Sequence, residues 1–201
     1  MVEFNPKNAD ILRKIFGKSA NIYKTNYLQF FEKDGSNSNS VFDIIIGNPP
    51  YNVTKKVSAY AGAQNTALWP RFVEISIAHL APGGHLGFIT PANWRKPEHP
   101  LYDLMVRENR LTFLHIYGKD RGLHIFGAQT RFDVYIVEKT AHTANSENHL
   151  SKSLTKSFVN MIDEKGKEYR NINISGWPFI PNYMFNAIQR LIANPGEKSN
   201  N

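Results

Sequence analysis

The 201-residue sequence contains no cysteine, and this absence excludes a disulfide framework and any metal site built from thiolates. It contains no apolar run approaching the about 20 residues that a membrane-spanning helix needs. Its first residues, Met1–Lys7, lack the basic start and the apolar stretch of a signal peptide. These absences predict a protein of the cytoplasm that has no membrane partner.

The composition predicts one globular domain with a basic surface. Apolar residues make up 41% of the sequence and charged residues 20%, and the formal net charge is +7. Such a surface is compatible with a polyanionic partner such as nucleic acid, and equally with a merely basic exterior. Lys55, Lys56, Arg95 and Lys96 are candidates for contacts with phosphates, although a solvated charged face explains them equally well.

Apolar patterning and turn residues predict an alternation of strands and helices. The predicted strands are Met1–Phe4, Asn21–Tyr23, Phe42–Gly47, His85–Thr90, Leu111–Tyr117 and Arg131–Glu138. The predicted helices are Lys7–Phe16, Thr66–His79, Leu101–Asn109 and Asn182–Ala193. The predicted connections are loops over residues 33–40, 53–66 and 118–130, a turn at Pro82–Gly84 and a hairpin over Leu154–Ile174. This alternation indicates an α/β fold with a mainly parallel sheet.

The most informative feature is the tetrapeptide formed by Asn48, Pro49, Pro50 and Tyr51. It follows the apolar run Phe42–Gly47, which predicts a fully buried parallel strand that ends at a glycine. Two adjacent prolines give a rigid backbone without N–H donors. At the carboxyl end of a parallel strand, this rigid turn would lie where open α/β sheets bind their ligands.

The tetrapeptide has the chemistry needed to activate an exocyclic aromatic amine. Such an amine is a poor nucleophile because its lone pair is delocalised into the ring, and two acceptors directed at its two N–H groups would localise that lone pair. Asn48 offers a side-chain carbonyl, Pro49 offers a backbone carbonyl on a stiff frame, and Tyr51 offers a flat face on which a base can stack. The predicted site works by orientation and preorganised dipoles, and it needs no metal ion.

The tetrapeptide and the strand before it resemble the catalytic motif of the S-adenosylmethionine-dependent methyltransferases that act on amino groups. More specifically, the chain is similar to the N6-adenine DNA methyltransferases of restriction-modification systems. The resemblance covers about residues 1–140 and includes Ala81–Trp94, His124–Phe126 and Phe132–Lys139. It implies a Rossmann-like fold whose mostly parallel sheet carries an antiparallel strand near the C-terminal edge. It also implies S-adenosylmethionine as the cofactor and methyl transfer to adenine N6 in double-stranded DNA.

The resemblance also implies roles for individual residues. Asn48 would contact the cofactor as well as the amine. Tyr51 and Phe126 would sandwich an adenine that is extruded from the duplex. Glu3 would bind the ribose hydroxyls of the cofactor. Asn26 stands where the family usually has an aspartate, and it would accept from the adenine amine of the cofactor through its carbonyl.

The family's first strand and glycine-rich cofactor loop should precede Glu3 by about twenty residues, and this sequence contains no such segment. The sheet is therefore expected to have a central gap between the strands that end at Glu3 and Asn48, or to close with the wrong neighbour. We expect a fragment, a reannotated start, or a chain completed by a partner chain or an upstream segment. The predicted organisation is a catalytic domain over residues 1–140, a linker over 141–153, and the start of a target-recognition domain or C-terminal extension over 154–201.

Three alternatives to DNA adenine methylation stay open. Methyltransferases that modify glutamine in release factors use the same tetrapeptide, but the long continuation after the last catalytic strand weakly favours a nucleic-acid substrate. An RNA-adenine methyltransferase fits the same motif. A non-catalytic DNA-binding or assembly subunit is favoured by the absent cofactor loop, and cofactor binding would separate it from the enzymes.

Overall fold

A computed structural model describes residues 1–32, 41–52, 67–140 and 157–191. The strands in these ranges are β1 (Val2–Glu3), β2 (Tyr23–Lys24), β3 (Phe42–Gly47), β4 (Leu80–Pro91), β5 (Arg110–Tyr117), β6 (Phe132–Glu138), β7 (Phe158–Ile162) and β8 (Glu168–Asn173). The α-helices are α1 (Pro6–Phe16), α2 (Tyr27–Glu32), α3 (Trp69–Ala78), α4 (Pro100–Tyr102), α5 (Lys119–Phe126) and α6 (Phe185–Leu191). A 3-10 helix (Ala92–Arg95) follows β4, and a π-helix (Asp103–Glu108) continues α4. None of the helices in these ranges has the length and apolar character needed to cross a bilayer.

The strands form two separate sheets. β1 and β2 make a small parallel sheet, and the other strands make a six-stranded sheet in the order β3-β4-β6-β5-β7-β8. In the larger sheet β3 pairs with β4 and β5 with β7 in parallel, whereas β6 runs antiparallel to β4 and β5, and β7 and β8 form an antiparallel hairpin. The α/β class is confirmed. The expectation of a mostly parallel sheet is only partly confirmed, because the antiparallel strand β6 lies inside the sheet and not near its edge.

Strand β3 lies at one edge of the six-stranded sheet, and this position makes the prediction of a fully buried strand wrong. Ile44 and Ile46 are 67% and 79% exposed, whereas Ile45 on the opposite face packs against the core. Among the described residues, no strand pairs with the edge of β3 that faces away from β4. The apolar run identified the strand and its parallel pairing correctly. Burial, however, depends on neighbouring elements, which a local pattern does not reveal.

Helix α1 begins and ends as its sequence predicts. The side-chain oxygen of Asn5 accepts a hydrogen bond from the backbone N–H of Lys7, and Pro6 occupies the first turn. Gly17 ends the helix with a φ of 81°, a conformation that favours glycine. Ile15 nonetheless stays exposed, so part of the apolar face of α1 is uncovered.

Helix α2 attaches the small sheet to the rest of the molecule. The hydroxyl groups of Tyr27 and Ser76 are 2.8 Å apart, and the Tyr27 ring stacks on Phe72 of α3 with centroids 5.2 Å apart. Phe31 contacts Phe42 at the start of β3, with ring centroids 6.1 Å apart. In the described ranges, side-chain packing of this kind holds β1 and β2 beside the larger sheet without a hydrogen-bonded ladder between the two sheets.

Two predictions for the middle of the chain are corrected by the structure. The turn predicted at Pro82–Gly84 lies inside β4, where Gly83 adopts a φ of 79° and the register with β3 shifts, so the strand continues through an irregularity. The loop predicted over residues 118–130 contains helix α5, which ends at Gly127 with a left-handed φ of 68°. The sequence pattern missed this helix because Gly122, near its centre, is a poor helix former.

The remaining predicted elements are found with small changes of boundary. Helix α3 begins at Trp69, and the predicted cap Thr66 lies outside the described residues. The helix predicted over Leu101–Asn109 is present as α4 and the π-helix. The predicted loops over 33–40 and 53–66, which include Lys55 and Lys56, also lie outside the described residues. The same holds for the predicted linker over 141–153 and for the predicted end of the last helix at Ala193.

Residues 157–191 extend the same sheet and share its core. β7 adds to β5, and the predicted hairpin is confirmed as β7 and β8, while its first residues, 154–156, lie outside the described ranges. Trp177 and Phe185 are buried in the common core, with ring centroids 6.0 Å apart. The assignment of residues 154–201 to a target-recognition domain or C-terminal extension stays a prediction.

Candidate active site

The turn that follows β3 is held by contacts on both of its sides. A side chain at Gly47 would press on the ring of Phe88, so this glycine lets the end of β3 lie close to β4. After the turn, the carbonyl of Tyr51 accepts from the backbone N–H of Leu68 at 3.1 Å, and an antiparallel bridge follows at the next residue. The tetrapeptide is therefore fixed at the carboxyl end of β3, where the sequence predicted it.

Asn48 is the exposed polar group of this turn. Among the described residues, no hydrogen bond engages its side chain, so its amide carbonyl is available to an external donor. Pro49 is buried and Pro50 is exposed. The two pyrrolidine rings restrict the backbone directly after Asn48, which limits how far that acceptor can move.

Tyr51 and Phe126 lie side by side, although 75 residues separate them in the sequence. Their ring centroids are 6.1 Å apart, and the rings meet edge to face at 71°. Phe126 contacts Phe132 at 4.9 Å, and Phe132 stacks in parallel on Tyr117 at 4.5 Å. We call these four side chains the aromatic row. The edge-to-face contact of Tyr51 and Phe126 leaves no slot for a base between them, so the predicted sandwich requires one of these two rings to turn.

A buried polar layer lies behind Tyr51. Four side-chain atoms of the described residues are buried without a hydrogen-bond partner, namely Tyr51 Oη, Trp94 Nε1, Asp133 Oδ1 and Tyr135 Oη. Burial raises the pKa of the Tyr51 hydroxyl. Burial also raises the pKa of Tyr135, and the neighbouring Asp133 and Tyr51 raise it further. Both hydroxyls are therefore protonated near neutral pH, so neither tyrosine is a phenolate there.

Arg95, a candidate for a phosphate contact in the sequence, is buried in an ion pair instead. Its Nε donates to Asp133 Oδ2 at 2.8 Å. Its Nη1 donates to the carbonyls of Ile180 and Pro181 at 2.7 and 3.1 Å, and its Nη2 donates to the side-chain oxygen of Asn182 at 2.9 Å. Desolvation by burial raises the pKa of Asp133 to about 6, although Arg95 opposes this shift. Sequence reasoning missed this cluster because no local pattern links groups so distant along the chain.

The residues predicted to bind the cofactor lie at the small sheet. Glu3 ends β1, and its Oε1 accepts from the backbone N–H of Asn5 at 2.7 Å. Asn26 Oδ1 accepts from the backbone N–H of Leu28 at 3.0 Å, at the start of α2. Neither side chain is hydrogen-bonded to Asn48 in the described ranges. No hydrogen bond of the described residues engages the second carboxylate oxygen of Glu3, so this oxygen can accept from a ribose hydroxyl, whereas the side-chain carbonyl of Asn26 already accepts one hydrogen bond.

Solved structures share this fold. The methyltransferase subunit of a type I restriction-modification system from Streptococcus thermophilus is similar, with a TM-score of 0.52 and 15% identity over 86% of this chain and 38% of that one. The type I restriction enzyme EcoKI M protein has a TM-score of 0.52 and 14% identity, over 88% and 39% of the two chains. The ATP-dependent Type ISP restriction-modification enzyme LlaBIII, bound to DNA, has a TM-score of 0.52 and 15% identity, over 88% and 16%. Identities of this size show the fold alone, and the chain spans at most 39% of these proteins.

Family membership rests on a sequence match. No curated protein matches this chain. The family model of the Eco57I restriction-modification methylase matches residues 4–126, a range that contains Asn26, the turn Asn48–Tyr51 and Phe126 and that begins directly after Glu3. This range is more than half of the 201 residues. The resemblance to restriction-modification methyltransferases is thereby confirmed, and the chain belongs to the Eco57I restriction-modification methylase family.

Proposed function

We propose that this chain transfers a methyl group from S-adenosylmethionine to the N6 amine of adenine in double-stranded DNA, as part of a cytoplasmic restriction-modification system. The observation that carries the proposal is the exposed side chain of Asn48 at the end of β3, which no hydrogen bond of the described residues engages, in the same turn as Tyr51, whose ring contacts Phe126. The amide carbonyl can accept hydrogen bonds from the edge of a purine, and the neighbouring aromatic rings can stack on its face. Family membership supports methyl transfer, and the site residues support the choice of an aromatic amine.

Asn48 and Pro49 would activate the amine. The side-chain carbonyl of Asn48 and the backbone carbonyl of Pro49 each accept one N–H of the amine, which localises the nitrogen lone pair. When bound, S-adenosylmethionine supplies an electrophilic methyl group. The amine nitrogen would form a bond to this methyl group as the bond between methyl and sulfur breaks, which leaves a neutral thioether. The nitrogen then releases one proton to water, so the turn needs no group with a strongly shifted pKa.

Tyr51 and Phe126 would hold the target base outside the duplex. An adenine inside the helix cannot present its amine to a turn of this kind, so the base has to be extruded. Stacking on an aromatic ring contributes about 1–3 kcal/mol per base and offsets part of the cost of unstacking. Because the two rings now meet edge to face, we expect one of them to turn when the base enters.

Glu3 and Asn26 would contact the cofactor. The free carboxylate oxygen of Glu3 accepts a ribose hydroxyl. Asn26 already uses its side-chain carbonyl as a helix cap, so its contact with the cofactor adenine would be the weaker of the two. Asn48, at the end of the neighbouring sheet, would face both the methyl group and the amine.

The edge of β3 that the described residues leave unpaired supports the proposal that a further strand adds to the six-stranded sheet. Ile44 and Ile46 stand exposed on a strand whose outer edge is unpaired among the described residues. Such an edge is a template for a further strand. We propose that a strand from a partner chain or an upstream segment pairs with this edge of β3.

Methyl transfer by the purified chain tests the proposal. The chain is first titrated with S-adenosylmethionine by calorimetry, and labelled cofactor is then offered with duplex DNA, adenine-containing RNA or a glutamine peptide. We expect N6-methyladenine in DNA. Label only in RNA or only in glutamine would replace the proposed substrate. No cofactor binding would favour the non-catalytic DNA-binding or assembly subunit, for which the uncovered β3 edge is the favourable observation.

Asn48→Ala is the decisive variant for the catalytic turn. It should abolish transfer and leave DNA binding nearly unchanged, because it removes one amine acceptor and no structural hydrogen bond of the described residues. Asn52→Ala is the matched control, since it removes the same amide from another exposed position just beyond the turn. Activity retained in Asn48→Ala, or lost equally in both variants, would refute the role of Asn48.

A further inference from the structure

A cleft opens beside the aromatic row at the carboxyl end of β4. Its volume is about 450 Å³, and four stretches of chain form its walls: the end of β4 with the 3-10 helix, the start of α5, the segment before β6, and residues 179–182. The described residues that line it include four cations, Arg95, Lys96, Lys119 and Arg131, and no acidic residue. The charge of the lining is therefore suited to an anion.

Two of these cations form ion pairs with carboxylates, and the other two form none among the described residues. Arg95 is paired with Asp133, as described above. Arg131 reaches Glu164 through Nε and Nη2, each at 3.3 Å from a carboxylate oxygen. Lys96 and Lys119 are exposed, and neither has an ion-pair partner among the described residues. These two lysines are the charges that the cleft can offer to a ligand.

The walls of the cleft are fixed by backbone contacts. The N–H of Ile180 donates to the carbonyl of Arg95 at 3.1 Å, which returns the hydrogen bond that the guanidinium donates to Ile180. The N–H of Ala92 donates to the carbonyl of Arg131 at 3.3 Å. On the other side, Gly122 lets α5 press against the backbone of Thr130, because a Cβ at this glycine would collide with the Thr130 carbonyl oxygen. The cleft is thus preformed.

Neutral polar groups complete the lining. Asn93, Gln129, Thr130 and Asn182 border the cleft with amides and a hydroxyl. Phosphate oxygens in nucleic-acid complexes are bound by lysine and arginine together with side chains of these types and backbone N–H groups. Two free cations, neutral donors and no lining carboxylate are the features of a phosphate site.

We propose that this cleft binds a backbone phosphate of the DNA strand that carries the target base, with Lys96 and Lys119 as its charged contacts. The identity of the nucleic acid rests on the proposed function. Lys119 begins α5 and Phe126 ends it, so the two residues lie about 10 Å apart along the helix axis. A base at Tyr51 and Phe126 and a phosphate at Lys119 can therefore belong to the same nucleotide or to adjacent nucleotides. The cleft would anchor the strand while the base is extruded.

The salt dependence of DNA binding tests this proposal. The affinity of the full chain for a fluorescent duplex of mixed sequence is measured from about 50 to 200 mM salt. Lys96→Ala/Lys119→Ala removes two phosphate contacts, so the slope of log K against log salt should become shallower by about 1.8. Over that range the wild type would then lose about tenfold more affinity than the variant. Lys96→Arg/Lys119→Arg keeps both charges and should restore the wild-type slope. A slope that does not change in the alanine variant would overturn the proposal.

Lys7→Ala/Lys14→Ala provides the matched control. It removes the same net charge from two exposed positions of α1, outside the cleft, and should leave the slope unchanged. An equal change in both variants would show a general charge effect and would also overturn the proposal. Methyl transfer by the wild type is measured separately. If the wild type methylates DNA but the slope of Lys96→Ala/Lys119→Ala is unchanged, the phosphate site is refuted and the proposed function stands. If that slope becomes shallower but the wild type does not methylate DNA, the phosphate site stands and the proposed function is refuted.

Discussion

Arg95 donates from Nε to Asp133 Oδ2 at 2.8 Å, and the two side chains are 5% and 0% exposed. The remaining donors of the guanidinium reach the carbonyls of Ile180 and Pro181 and the side chain of Asn182. A guanidinium carries five donors in a rigid fork, so one residue can hold three parts of the chain together. This ion pair, with the other hydrogen bonds of Arg95, fastens residues 180–182 to β6 and to the 3-10 helix that follows β4.

Arg95→Ala should lower the free energy of unfolding by about 3–5 kcal/mol, because it leaves the Asp133 carboxylate buried without its partner. Urea denaturation measures the loss. Arg107→Ala is the control, since Arg107 pairs with Asp103 at 2.6 Å on an exposed helical surface. There the expected loss is about 0.3–0.5 kcal/mol. Equal losses in the two variants would contradict the structural role of the buried pair.

The stability of the protein should depend on pH through Asp133. Its pKa is raised by burial to about 6, above the value of 3.8 for an ordinary aspartate. Between these values the folded state binds more protons than the unfolded state, so this carboxyl's contribution to stability falls as the pH rises from about 4 to about 6 and is constant above that. In Asp133→Asn this dependence should disappear. The advantage of the wild type over the variant should therefore be larger at pH 4 than at pH 7. Parallel profiles would show that Arg95 cancels the effect of burial.

Tyr51→Phe should keep methyl transfer within about twofold, because the removed hydroxyl is buried without a partner among the described residues. Tyr51→Trp should also retain activity, since it preserves a flat stacking surface. Tyr51→Ala removes the ring and should lower kcat/KM by the equivalent of about 1–3 kcal/mol. Steady-state kinetics on duplex DNA compares the three variants. A Tyr51→Phe variant as impaired as Tyr51→Ala would assign the function to the hydroxyl.

Gly122→Ala should destabilise the protein by about 1–3 kcal/mol, because the new methyl group collides with the Thr130 carbonyl oxygen and overpacks the contact. Helix propensity alone would make Gly122→Ala stabilising, since alanine is favoured over glycine by about 1 kcal/mol in a helix. A gain in stability would therefore contradict the close approach of α5. Gly176→Ala is the control, because a Cβ there meets no atom within 4 Å. Gly122→Ala should also reduce methyl transfer, because the displacement of α5 moves Phe126.

The elements that the sequence predicted correctly are those with local causes. Asn5 and Gly17 mark the ends of α1 through hydrogen bonds and backbone conformations that involve only nearby residues. The apolar run Phe42–Gly47 identified β3, and the rigid prolines after it placed the candidate turn Asn48–Tyr51 at its end. These signals act over one or two turns of chain, so periodicity and turn chemistry detect them.

The features that the sequence did not predict depend on contacts between distant residues. The ion pair of Arg95 and Asp133 joins positions 38 residues apart, and neither residue type signals burial by itself. Gly122 suggested a loop, although its absent side chain serves a close helix contact. The exposure of Ile46 follows from the absence of a neighbouring strand in the described ranges, and the hydrophobicity of β3 gives no sign of it.

Two kinds of pairing compete for the edge of β3 that the described residues leave unpaired, namely pairing with a second copy of the chain and pairing with another strand. Among the described residues, the backbone N–H and C=O groups of this edge, beside Ile44 and Ile46, have no strand partner, so the edge is a template for an extended segment such as β3 of a second copy. Asp43 is the only charged residue on this strand, so repulsion between copies is weak. Growth of such edge-to-edge oligomers rises with concentration, whereas docking of a covalently linked strand does not. The share of chains paired through β3 should therefore rise with protein concentration, and a strand bound to this edge would compete with that pairing.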